Sequence, residues 1–214
     1  MRLILARHGN TFGPGDTPVW VGAREDLPLT DKGRVQSIQF GLALKEAGIT
    51  PARIIAGPLQ RTATGAQLAA AECGFDGGIE IDTRLREIDY GSWGGRSDAE
   101  ITAEWGEKAI EDWRERSIVP PGAGWSPSPE TIAANASAIL QDINAAAKPA
   151  DTVLLISSNG ILRYFHALLG GDPQRPEESK MRTGHWSIAI ASPSGWQLQT
   201  WNVLPHPDAL GGAG

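Results

Sequence analysis

Leu3-Ile4-Leu5-Ala6-Arg7-His8-Gly9-Asn10-Thr11 is the stretch from which the rest of the chain can be read. Four apolar residues in a row form a buried strand. The change to Arg-His-Gly marks the strand's end and sets an imidazole beside a guanidinium there. A second stretch has the same form. Thr152-Val153-Leu154-Leu155 leads into Ile156-Ser157-Ser158-Asn159-Gly160-Ile161-Leu162-Arg163, a strand over 151–157 that runs into a helix over 159–169. The two read as halves of one anion-handling site.

Between and around them, strands alternate with helical patterns, the signature of an α/β layered fold. Thr30 is suited to cap a helix over 31–47, with Val35, Ile38, Leu42 and Leu44 as its apolar positions and Gly48 as its stop. A short strand at 53–56 precedes Gly57-Pro58 and a helix over 59–73, and 79–81 suits a further strand. Residues 97–116 form one or two exposed helices, and the proline-rich 119–129 a loop. Ile132, Ala136, Ile139, Leu140 and Ile143 share one face of a helix over 130–147. Residues 186–191 and 196–203 pair as a hairpin across 192–195. A single domain is expected over 1–209, with the glycine-rich 210–214 as a disordered tail.

Composition narrows the function. The chain has 214 residues, enough for one core without disulfides or metals, and its lone cysteine, Cys73, has no internal partner. A net charge of −6 argues against general nucleic-acid binding but not against a small anion held by a few arginines in a cleft. No apolar run is long enough for a membrane span and Met1-Arg2-Leu3 opens no signal peptide, so a cytoplasmic location is the expectation.

Ligands of open α/β sheets bind beyond the carboxyl ends of the strands. Arg7 and His8, Ser157 and Ser158, Gly57-Pro58-Leu59-Gln60-Arg61 and Leu85-Arg86-Glu87 all follow strand-like runs. Convergence of those ends would gather two arginines, one histidine and one glutamate. That set suits phosphoryl transfer. A neutral imidazole attacks phosphorus, guanidinium grips two phosphate oxygens, and a carboxylic acid protonates the leaving alkoxide.

At these residues the chain resembles the histidine phosphatase superfamily, the phosphoglycerate mutase-like proteins. R-H-G-x-T is matched at Arg7, His8, Gly9 and Thr11, followed by Trp20, Gly22 and Asp26-Leu27-Pro28-Leu29-Thr30-Asp31-Lys32-Gly33. Pro58-Leu59-Gln60-Arg61-Thr62 is similar to S-P-L-x-R-A, with Gly57 for its serine. Leu85 to Gly95 is similar to L-x-E-x-x-x-G-x-W-E-G. The resemblance implies a three-layer α/β/α fold with a mostly parallel central sheet. It implies His8 as phospho-acceptor, Glu87 as proton donor, and Arg7 and Arg61 as phosphate ligands; Asn10, Thr11 and Ser158, beside these at the strand ends, are further candidate phosphate contacts. The expected activity is a metal-independent phosphatase that needs no cofactor and acts on a small phosphorylated substrate. A weakly active phosphate-binding or regulatory protein and a mutase-type phosphotransferase are the alternatives. The stretch from Gly95 to Pro129 is short for a mutase of this kind.

The departure lies at Ser158, where the family's V-S-H-G-G-x-x-R carries a second histidine. Loss of one such donor costs about 2.7–4 kcal/mol of transition-state stabilisation. His185, at the start of the expected strand over 186–191, is the candidate substitute. His166 lies about 12 Å along the helix from Ser158, and His206 is more distant still.

Overall fold

A computed structural model describes residues 1–210. Six strands and six α-helices alternate along them in the order β1 (Arg2–Arg7), α1 (Asp31–Glu46), β2 (Arg53–Ala56), α2 (Gln60–Cys73), β3 (Glu80–Ile81), α3 (Asp98–Trp105), α4 (Glu107–Arg116), α5 (Pro129–Ala146), β4 (Thr152–Ser157), α6 (Asn159–Leu168), β5 (Trp186–Ser192) and β6 (Gly195–Val203). The sheet order is β3-β2-β4-β1-β5-β6. Its first four strands are parallel, and β5 and β6 continue it antiparallel.

The pleat assigns alternate residues of each strand to opposite faces. Ile4, Ala6, Ile54, Ala56, Leu154 and Ile156 pack with Phe40 and Leu44 of α1 and Ala66 and Ala69 of α2. Leu3, Leu5, Ile55, Val153 and Leu155 face the other layer, which includes Trp113 of α4, Ile139 and Ile143 of α5, and Leu162 and Phe165 of α6. The fold is thus three layers, α/β/α. Both faces of β1 and β4 are covered, which is why Leu3–Ala6 and Val153–Ile156, between the polar ends of these strands, are unbroken apolar runs.

Thr30 caps α1, its Oγ1 accepting from the Gly33 N–H, and Ala136, Ile139, Leu140 and Ile143 are buried on α5. Gly106, at φ 79°, splits the charged 97–116 region into α3 and α4, which bury Ile101, Ile110 and Trp113 rather than lying fully exposed. The α1 face differs from expectation. Val35 is 54% exposed, and the buried positions are Gly33, Ser37, Phe40, Gly41, Ala43 and Leu44. Close approach decides this: a Cβ on Gly41 would lie 2.3 Å from the Ala69 carbonyl oxygen, so α1 turns its small residues toward α2. Leu210, placed in the tail by sequence, is buried in a final turn, Pro207–Leu210, where its carbonyl accepts from Arg2 Nη2 at 2.7 Å. Residues 211–214 of that expected tail lie outside the described residues.

Two glycines fix the loop after β1. A Cβ on Gly9 would sit 2.2 Å from the Gly33 oxygen, and one on Gly33 would sit 2.2 Å from the Asn10 oxygen. The Asn10 carbonyl also accepts from the Thr30 N–H and hydroxyl. The residues after His8 are therefore clamped to the start of α1. We predict that Gly33→Ala lowers stability by about 1–3 kcal/mol through overpacking. The neighbouring Lys32→Ala, on an exposed position, should stay within about 0.5 kcal/mol. Urea midpoints measure both, and equal midpoints would refute the clamp.

Candidate active site

Parallel pairing of β1 with β4 sets Arg7 opposite Ser157, so His8 and Ser158 leave neighbouring strand ends side by side. The His8 N–H donates to the Ser157 carbonyl at 3.1 Å. Around this junction lies a cavity of about 730 Å³, lined among others by Arg7, His8, Asn10, Thr11, Arg61, Glu87, Tyr90, Arg163 and Lys180. The strand ends singled out in the sequence do converge.

His8 is buried, and its Nδ1 lies 2.7 Å from the Gly9 carbonyl oxygen. That oxygen can only accept, so Nδ1 carries the proton and Nε2 keeps its lone pair. Burial, then the charges of Arg7 and Arg61, hold its pKa well below the ordinary 6.5. The ring is thus neutral and of the nucleophilic tautomer.

The guanidiniums are oriented by carbonyl oxygens. Arg7 Nη1 donates to Met181 O at 2.7 Å, while Arg61 Nη1 and Nη2 donate to Glu25 O at 2.9 Å and Gly22 O at 3.1 Å. Neither arginine forms an ion pair among the described residues. A carbonyl fixes the fork without cancelling its charge, so both remain competent to grip an anion.

Glu87 is buried at the start of α6. Its Oε2 accepts from the Gly160 N–H at 3.1 Å and its Oε1 from the Ile88 N–H at 2.9 Å. A Cβ at position 160 would lie 2.3 Å from Oε1, so only glycine lets the carboxyl reach the helix end. Burial raises the Glu87 pKa, against the opposing pull of the Ile88 N–H, Arg61, the Gly160 N–H and Arg7. A carboxyl with this bias holds its proton more readily than a solvated one, as a general acid must.

Asn10 faces the cavity with Oδ1 occupied, accepting from Thr183 Oγ1 at 2.6 Å, which leaves its amide N–H groups as donors. Thr11 also lines the cavity. Ser157 Oγ is committed to Leu85 O at 2.9 Å. Ser158 is 1% exposed and, like Ser157, is absent from the cavity lining; its Oγ has no hydrogen-bond partner and does not cap α6. A buried hydroxyl left so costs about 1–3 kcal/mol.

The structure does not bring His185 into the cavity. It precedes β5 by one residue, is absent from the lining, and its Nδ1 turns back on its own turn, 3.2 Å from Thr183 O. His166 packs edge-on against Trp201, and exposed His206 pairs with Asp208. Among the described residues, His8 is the one histidine that lines the cavity.

Sequence reasoning missed part of the wall. Phe12, Thr17, Pro18, Val19 and Val21 line the cavity, as do Lys180 and Thr183. Ser97, Asp98, Ala99, Trp113 and Arg114, from the 97–116 region, line it too, but Trp125 does not. It packs edge-on against Tyr90 and Trp113, with ring centroids 4.7 and 4.9 Å apart, and backs the aromatic wall. No sequence signal marks Lys180. Its loop reaches the site because Met181 N–H donates to Asn159 Oδ1 at 2.8 Å while Met181 O holds Arg7.

Comparison with known proteins agrees with this geometry. Residues 3–204 match the family model of the histidine phosphatase superfamily, branch 1. The chain belongs to that superfamily and is by family a phosphoryl-transfer enzyme. It is similar to a protein of Erwinia tasmaniensis named "Probable phosphoglycerate mutase GpmB", at 30% identity over 96% of this chain and 94% of the relative. Its fold is similar to that of a mycobacterial glucosyl-3-phosphoglycerate phosphatase, with TM-score 0.79, 25% identity, and coverage of 95% of this chain and 99% of the other. It also shares the fold of the alpha-ribazole phosphatase from Shigella flexneri, with TM-score 0.75, 19% identity, and coverage of 95% and 98%.

The burial of neutral His8 has a stability consequence. Its folded pKa lies below its unfolded value near 6.5, so below pH 6.5 the unfolded chain binds a proton that the folded one refuses. That contribution is full above 6.5 and falls as pH drops toward the folded pKa. Glu87 acts with the opposite sign and is common to both proteins in the comparison. Between pH 7.5 and 5.5, wild type should lose about 1 kcal/mol more stability than His8→Gln. Equal losses in urea titrations at the two pH values would contradict a neutral buried imidazole.

Proposed function

We propose that the protein is a metal-independent phosphatase that hydrolyses a small phosphomonoester through a phosphohistidine at His8. The observation that carries this reading is a neutral imidazole, with its nucleophilic nitrogen free, between two guanidiniums that have no carboxylate partner. The phosphoryl group sits on Arg7 and Arg61, with Asn10 and Thr11 beside it. His8 Nε2 attacks phosphorus and the P–O bond to the leaving group breaks. Glu87 gives its proton to the departing alkoxide, and then, as carboxylate, takes one from the water that cleaves the phosphohistidine. The cations around the phosphate do by fixed charge what a bound divalent ion would otherwise do.

Ser158 donates the remaining hydrogen bond to the phosphoryl oxygens. Its buried, unpartnered Oγ at the junction with His8 supports this assignment. A neutral hydroxyl is a weaker donor than an imidazolium, so the reading implies reduced turnover rather than none.

Turnover of phenyl phosphate tests the proposal. EDTA should leave the rate unchanged, and His8→Ala should abolish it and the acid-labile phosphoenzyme. Undiminished activity of that variant would overturn the mechanism. Glu87→Gln should lower kcat by about 10²–10⁴ and remove the alkaline limb of the pH profile. The acid limb of kcat/KM, set by His8, should be centred below pH 6.5. Ser158→Ala should cost about twofold to tenfold in kcat, the worth of one neutral hydrogen bond; no change would remove Ser158 from the site.

Likeness to a mutase-named relative at 30% identity favours a second reading, transfer of the phosphoryl group to an acceptor alcohol. Adding glycerol or glycerate to trapped phosphoenzyme separates the two outcomes. Faster discharge with a phosphorylated alcohol as product would favour transfer over hydrolysis.

A further inference from the structure

Of the residues at the end of β4, Asn159 lines the cavity, while Ser157 and Ser158 do not. Its Oδ1 accepts from the Met181 N–H at 2.8 Å. That bond settles which way the amide is turned, because a backbone N–H can only donate and must face oxygen. Nδ2, on the other branch of the same planar group, is directed away from Met181. It has no acceptor among the described residues, and it is not sealed from solvent. The cavity is the space left for it.

Met181 also fixes where this amide stands. Its N–H holds Asn159 while its O holds Arg7 Nη1 at 2.7 Å, so one residue ties the amide to the guanidinium. The segment 157–160 spans the rest of the site. At one end the Ser157 carbonyl accepts from the His8 N–H at 3.1 Å, and at the other the Gly160 N–H donates to Glu87 Oε2 at 3.1 Å. Asn159 lies between these two contacts.

We propose that Asn159 is a catalytic residue whose Nδ2 donates to a phosphoryl oxygen of the ester held on Arg7. The inference rests on the phosphatase reading above. It gives the site a second donor beside Ser158, and one whose direction is set before the substrate arrives. A serine hydroxyl rotates freely. The Asn159 amide cannot flip without losing the Met181 bond and setting its own oxygen against the anion. A donor fixed in this way costs no reorganisation as charge builds on the transferring group.

The side-chain amide signal of Asn159 reads the contact directly. Orthovanadate, which takes the place of the transferring phosphoryl group, is titrated into the isotope-labelled whole protein, with the signal assigned by triple-resonance spectra. One Nδ2 proton should move downfield with the same apparent Kd as the backbone N–H of Gly9. An unmoved signal with vanadate bound would overturn the contact and leave the phosphatase reading intact. Failure of vanadate to bind would overturn both. Asn159→Ala should lower kcat on phenyl phosphate by about 10-fold to 10²-fold, with little change in KM. A wild-type kcat, or a change in KM alone, would overturn the catalytic role. Asn159→Asp keeps an acceptor for the Met181 N–H but has no donor, so it should not recover the rate. Recovery by Asp would show that Asn159 acts only by holding Met181, and would overturn the proposal.

Discussion

Positive charge that the protein does not itself neutralise is the constraint on which the rest of the site depends. Arg7, Arg61 and Arg163 are all buried or nearly so, and all are aimed by backbone carbonyls or a hydroxyl rather than by carboxylates. An ion pair would hold each fork as well, but would consume the charge. The arrangement raises a local positive potential inside a chain of net charge −6. It also helps determine the state of the nucleophile. Burial keeps the His8 ring neutral, and the two guanidiniums reinforce it, so the charges that attract a phosphate in the proposed reaction also keep Nε2 unprotonated.

Such a cluster needs a scaffold that does not relax toward nearby acids. Backbone contact supplies it. Gly9 and Gly33 meet at distances no side chain would allow, which sets the His8 loop against α1. Gly160 admits the Glu87 carboxyl to the start of α6, and a Cβ on Gly57 would lie 2.7 Å from the Leu85 oxygen, so the loop after β2 packs directly on the segment that carries Glu87. On the outer side Trp20, Tyr90, Trp93, Trp113 and Trp125 meet edge to face. Each such pair contributes about 0.5–1.5 kcal/mol beyond burial. A wall of that stiffness keeps Tyr90 and Trp113 in place beside the guanidiniums.

The inner site was legible in the sequence because its residues are tied to strand ends, and strand ends are marked by the step from apolar to polar. Arg7 and His8 follow that rule directly and Arg61 and Glu87 lie a few residues past β2 and β3, whereas Ser158 follows it and yet is absent from the cavity lining. His185 stands instead before the start of a strand, and it failed, since the turn closed by its Nδ1 and Thr183 O lies one residue outside β5, where pleat alternation no longer dictates direction. Val35 failed for a related reason: periodicity locates an apolar stripe, but Gly41 against Ala69 decides which stripe faces α2. The outer wall was least legible. Lys180 and the 12–21 loop reach the cavity through single long-range contacts, such as Met181 to Asn159 and Arg7, and no local pattern encodes those.

The serine at 158 and the outer part of the cavity bear on one another. In the proposed reaction, an imidazolium at 158 would strengthen its hold as charge builds on the transferring phosphoryl group, and so would raise kcat directly. A hydroxyl does this weakly. Interactions with a distant part of the substrate do not change during transfer, but they can hold the ester in line with His8 Nε2 and so recover rate by orientation. A site with a weakened donor at the phosphate therefore depends more on what it grips elsewhere. Arg163 lines that outer part, fixed by two bonds and a tryptophan face. In the proposed reaction, a hydroxyl at 158 therefore makes turnover depend more on a substrate that also contacts the outer part of the cavity.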